Sequence, residues 1–151
     1  MLYPALAVAK HIVTYCNNQK KPISNLKLQK LLYFVWVEYY QRTNSELFFD
    51  NMYAWPLGPV VPNVYAEFSP YSGLPINKSF PEECSQDAWI IDDIVDRYID
   101  IPAAKLVEMT HEDGRPWQAV YQGGIGAKQI IPFALIKEME SRRQNDNAGS
   151  R

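Results

Sequence analysis

Histidine and cysteine are scarce in this chain, with two of each in 151 residues. His11, Cys16, Cys84 and His111 stand apart, without a CxxC and without any pair at metal-ligand spacing. A zinc site would need all four to converge from long range, so no metal and no cofactor are expected. Two isolated thiols suit a reducing compartment, and the cytoplasm is the expected location. The chain also lacks an excess of charge of one sign: the formal net charge is −2 and the pI about 5.7. Its only basic pairs are Lys20-Lys21 and Arg142-Arg143. A nucleic-acid surface needs a clustered basic excess, so none is expected. No run of about 18 apolar residues is present, so no membrane span is expected. The opening MLYPALAVAKHIV has no basic stretch before its apolar run, which argues against a secretory signal. Glycine is sparse as well, at seven residues. Its one cluster, Gly123-Gly-Ile-Gly126, has neither the P-loop spacing nor GxGxxG, so no phosphate cradle is read from it.

What the chain does have is apolar and aromatic content: 47% hydrophobic and 13% aromatic, with ten Tyr and four Trp. That is enough for one globular core. The richest stretch is ISNLKLQKLLYF, Ile23 to Phe34, continuing through Tyr40. Ser24 can cap a helix by accepting a backbone N–H. Leu28, Leu31, Leu32, Val35 and Tyr39 then recur on one face at helical spacing. Lys27, Lys30, Glu38 and Gln41 leave only a narrow polar stripe, with Phe34 among them. A helix this apolar is expected at the centre of the fold, contacted from several sides.

Around it, Ala5 to about Asn17 reads as a helix after Pro4. Leu47 to Trp55 reads as a strand, with Leu74–Phe80 as the best edge partner. Gly58 before Pro59 signals a tight turn, and Val60 to Phe68 a short helix with Pro62 in its first turn. Asp87 to Asp100 is amphipathic, with Asp92, Asp93, Asp96 and Arg97 read as a solvated face. Ala103 to about His111 forms the next helix, and Phe133 to about Arg143 the last. We expect a mainly α-helical (α+β) single domain over residues 1–143. It would be built around a buried central helix, about 24–43, with a small two-stranded β-hairpin. Residues 144–151 are expected to be a flexible tail.

Catalytic sets are hard to assemble. A hydrolase using Cys84 and His111 is conceivable, with an aspartate to orient the imidazole. Its bland counterpart is an ordinary thiol and a helix-terminal histidine. Three clusters resist dismissal: LKLQK (Leu26–Lys30), AWPLGPVVPNVY (Ala54–Tyr65) and LVEMTHEDGRPW (Leu106–Trp117). Residue by residue they read as packing, with Trp55 and Trp117 as core plugs.

In order and in combination, these three blocks resemble the Panacea domain, the SocA/GepA-like family of phage- and mobile-element-associated antitoxins. The resemblance runs from about residue 5 to 140, through ISNLKLQKLLYF, LFFDNMYAWPLGPVVPNVYAEF and IPAAKLVEMTHEDGRPW. Trp36-Val37-Glu38 is bulkier than the family pattern, and the Asp87–Asp100 helix carries no motif. The resemblance implies an antitoxin without enzymatic activity that neutralises a toxin encoded nearby by direct protein–protein binding. Some relatives are similar to protease adaptors, so delivery of a toxin, or of another phage or host protein, to an AAA+ protease is the alternative. The residues expected to face the partner are Lys27, Lys30, Tyr33, Gly58, Pro59, Val60, Asn63, Tyr65, Thr110 and His111. Leu28, Leu31, Leu32, Trp55 and Trp117 are expected to form the structural core. Self-association into a homo-oligomer is compatible with so aromatic a chain.

Overall fold

The structure, a computed structural model, describes residues 2–149. Its helices are α1 (Ala5–Asn18), α2 (Asn25–Thr43), α3 (Pro62–Phe68), α4 (Ala88–Asp96), α5 (Ala103–Thr110), α6 (Pro116–Tyr121) and α7 (Phe133–Gly149). Three short strands, β1 (Met52–Trp55), β2 (Gly58–Val60) and β3 (Ile130–Ile131), form an antiparallel sheet in the order β2-β1-β3. The fold is mainly helical with a small β element, which is the expected class.

The central helix begins and ends where its local chemistry dictates. The Ser24 hydroxyl accepts from Lys27 N–H at 3.3 Å, and Asn44 closes the helix in the left-handed region at φ 57°. Between them α2 is enclosed by α1, α3, α4, α5, α7 and β2. Leu28, Leu31, Leu32, Val35 and Trp36 have no exposed surface. Trp36 uses its bulk fully: its ring stacks on Phe133 at 4.9 Å, and Nε1 donates to Phe48 O at 3.0 Å.

The expected partner strand is corrected. Leu74–Phe80 forms no strand; Pro75 removes a donor there, and Ile76 N–H bonds Ile23 O at 2.8 Å instead. The segment after the turn pairs with β1, setting Tyr53 against Val60 and Trp55 against Gly58, while β3 takes the other edge. The sheet thus has three strands where a two-stranded hairpin was expected. Only Met52–Trp55 of the expected Leu47–Trp55 strand is extended and paired.

Two other boundaries differ. Helix α4 stops at Asp96 and not near Asp100, because Tyr98 N–H turns back to Val95 O at 2.9 Å ahead of the Ile101-Pro102 break. Its acidic face is not simply solvated: Asp92 accepts from His11 Nε2 at 2.7 Å, and Asp96 from the Tyr15 hydroxyl at 2.5 Å. Helix α7 continues to Gly149, past the expected end near Arg143. The last two residues of the expected tail, Ser150 and Arg151, lie outside the described residues.

Candidate functional site

The three sequence clusters meet at one junction. Helix α2 carries Lys30 into it with no exposed surface, and Lys30 Nζ donates to Pro59 O at 2.6 Å. Gly58 holds φ +114°, and a Cβ added there would stand 2.7 Å from both Lys30 Nζ and Thr110 Oγ1. Glycine is needed at this position both for the backbone angle and for the space. Thr110, in the last turn of α5, donates to Val107 O at 2.8 Å. His111 caps that helix and stacks flat on Trp117, with ring centroids 3.7 Å apart and planes 2° from parallel. Trp117 in turn donates from Nε1 to Trp55 O at 2.7 Å, closing the junction back onto β1.

A second tether starts at the neighbouring residue of α2. Gln29 Oε1 accepts from Val61 N–H at 3.0 Å, and its Nε2 donates to Asn25 Oδ1 at 3.1 Å. Asn25 Nδ2 reaches Tyr65 O at 3.0 Å. Both side chains are almost wholly buried, so each amide must find a partner, and together they fix the entry into α3. Neither was singled out from the sequence. The signal was present: two amides four apart, Asn25 and Gln29, at the start of the central helix.

The electrostatics of the junction follow from burial. Removal from water pushes the Lys30 ammonium down from 10.5 to about 7. The His111 imidazole is lowered as well, first by burial and then by the neighbouring Lys30 charge. His111 Nε2 is buried with no hydrogen-bond partner among the described residues.

The expected partner-facing residues therefore divide. Lys30, Tyr33, Gly58, Pro59, Val60 and Thr110 are buried in the chain itself. Lys27 is half-buried, and its Nζ donates to Ile99 O at 2.5 Å. Both lysines thus have a structural duty: on an enclosed helix the polar stripe meets backbone carbonyls. Tyr33 likewise gives its hydroxyl to Glu140 at 2.8 Å. Asn63 and Tyr65 are exposed, and His111 is half-exposed. Tyr65 packs edge-on against Trp55 at 5.1 Å, beside the exposed hairpin tip Pro56-Leu57. Of the residues read as core, Leu28, Leu31, Leu32 and Trp117 are buried, whereas Trp55 keeps part of its ring at the surface.

A cysteine hydrolase gains nothing from this geometry. Burial first, and then Glu82, Glu83 and Asp87, push the Cys84 thiol up to about 12, so it stays protonated and is a poor nucleophile. His111 is committed to the Trp117 stack. Among the described residues no group of three His, Cys, Asp or Glu is placed to hold a metal ion, and no helix is long and apolar enough to cross a membrane.

Residues 28–118 match the family model described as antitoxin SocA-like, Panacea domain. The chain is 33% identical over 138 residues to Antitoxin SocA of Caulobacter vibrioides (strain NA1000 / CB15N), an alignment spanning 79% of this chain and 71% of that protein. No solved structure matches the chain. The matched stretch opens inside α2 and closes one residue after Trp117, so it holds Lys30, Gly58, Thr110, His111 and Trp117 together. On both the family match and the shared identity, this chain belongs to the SocA-like antitoxin family and carries its Panacea domain.

Proposed function

We propose that this chain is an antitoxin that neutralises a cognate toxin by binding it directly. Family membership supports the antitoxin role. The observation that carries direct binding is the hairpin tip. Leu57, on a turn pinned from behind by Lys30, Gln29 and Trp117, is 53% exposed, and Tyr65, on α3 against the partly exposed Trp55, is 40% exposed. Large apolar and aromatic groups held rigidly at a surface are what a specific interface uses as anchors. A stable complex hides roughly 800 Å² on each side. The tip, Asn63 and the half-exposed His111 would form the centre of such a footprint.

The test is co-expression with the neighbouring reading frame, scored for growth and for a complex by size-exclusion chromatography. A neighbour that arrests growth alone, with growth restored alongside a stable complex, is the expected result. Rescue without a complex, and only in cells with an intact AAA+ protease, would replace direct neutralisation by the adaptor role. A harmless neighbour would remove the antitoxin assignment for that pair.

A further inference from the structure

One part of the polar stripe on α2 is not used by the junction. Phe34, Val37, Glu38 and Gln41 line a cleft of about 500 Å³ whose far wall is the last turns of α7. The volume lies in the range of ligand-holding clefts. Three guanidinium groups, of Arg97, Arg115 and Arg143, share the lining with two carboxylates, of Glu38 and Glu140.

The signs are arranged from inside to outside. The Glu140 side chain is only 4% exposed and accepts from Arg115 Nη1 at 2.7 and 3.0 Å and from the Tyr33 hydroxyl at 2.8 Å. The Glu38 side chain, 10% exposed, accepts from Arg97 and from the Tyr98 hydroxyl, with Arg42 Nη2 at 3.5 Å. Arg97 by contrast is 61% exposed and Arg143 26%. Arg97 and Arg143 are the more exposed charges of the lining, so a guest arriving from solvent meets their guanidinium groups before the two carboxylates. Arg143 also touches Glu112 Oε2 at 3.4 Å and Asp113 O at 3.2 Å, with its Nε 3.8 Å from Glu140 Oε1.

The floor is apolar. Phe34 and Tyr98 stack at 4.7 Å, and Arg115 lies over the Phe34 ring at 5.3 Å. Gln41 and Asn147 bring amide groups to the rim. Guanidinium forks above an aromatic floor match a carboxylate on a short methylene stem. We infer that this cleft receives an acidic segment of a protein partner, with Arg97 and Arg143 gripping its carboxylate and the half-exposed Tyr98 packing its stem. This rests on the protein-binding reading above and adds a second contact region to it, of opposite character to the hairpin tip.

The inference is tested by NMR on the isotope-labelled full chain, titrated separately with acetylated hexaglutamate, acetylated hexalysine and sodium phosphate. Hexaglutamate should move the side-chain signals of Arg97, Arg143, Gln41 and Asn147, and hexalysine should not. The affinity should fall when NaCl is raised from about 50 to about 300 mM, because the contact is with exposed charge. Arg97→Gln with Arg143→Gln should weaken it by about tenfold or more. Arg143→Gln alone, which keeps the Glu38 pair, is the control if the double variant melts early. Unmoved cleft signals, an unchanged affinity in the variants, or phosphate binding as tightly as the peptide would each overturn the inference. No toxin is needed for the titration. A chain that fails to rescue growth can still pass it, and one that rescues can still fail.

Discussion

Lys30 places an amine where water cannot reach, and its consequences are measurable. An unfolded lysine holds its proton to about 10.5, while the folded one releases it near 7. Between those values the unfolded chain carries the extra proton, so the Lys30 contribution makes the fold more stable as pH rises. Below about 7 the contribution is constant and unfavourable. Urea unfolding from about pH 7 to about pH 9 should show that rise in the wild type, and Lys30→Met, which keeps the stem and drops the amine, should flatten it. An equal slope in the wild type and in Lys30→Met would deny Lys30 this contribution. Gly58 is the companion case. Gly58→Ala combines a disfavoured φ of +114° with a Cβ 2.7 Å from two polar atoms. It should cost about 1–3 kcal/mol in the same assay. At this scale the sequence drew attention to Lys30 and Gly58 but did not show what they do in the fold. Helical spacing assigned Lys30 to a polar stripe. Its partner, the Pro59 carbonyl, is 29 residues away in a turn whose docking no local pattern encodes.

Among the elements, α2 was the most legible, because its cap, its apolar face and its stop are all local. Replacing Leu31 by Ala, at a site without exposed surface, should destabilise the fold by about 2–5 kcal/mol. Chemical denaturation checks this directly, and a cost below about 1 kcal/mol would deny α2 its central place. The sheet was less legible. Strands of two to four residues carry too little side-chain pattern to announce their partners. A strand beginning at Gly58-Pro59 goes against ordinary strand preference, and is held because Lys30 and Gln29 satisfy the backbone around it. The hairpin so fixed carries the exposed Leu57 at its tip. Leu57→Asp with Tyr65→Ala should leave the melting temperature within about 2 °C of wild type. The same pair should weaken the toxin complex about thirtyfold or more, read by calorimetry. Full affinity in the double variant would move the interface elsewhere.

For the molecule as a whole, the family could be read from the order of three blocks, and the structure supplies the physical reason for their company. Each contributes one wall of the Lys30–Gly58–Thr110–His111 junction. What the blocks did not reveal is the role of the chain beyond them. Helix α7 lies past the matched residues 28–118, yet its Glu140 is the carboxylate that takes the Tyr33 hydroxyl and the Arg115 guanidinium.

That pairing spans 107 residues of chain. During synthesis α2 emerges early and waits, its aromatic side unroofed, until nearly all the rest has left the ribosome. A product cut short before Glu140 would keep every family block and still leave the Tyr33 hydroxyl and the Arg115 guanidinium without their carboxylate. It would be a substrate for aggregation and proteolysis, not a weaker version of the same protein. The fold would then be completed in a single step as the final helix closes.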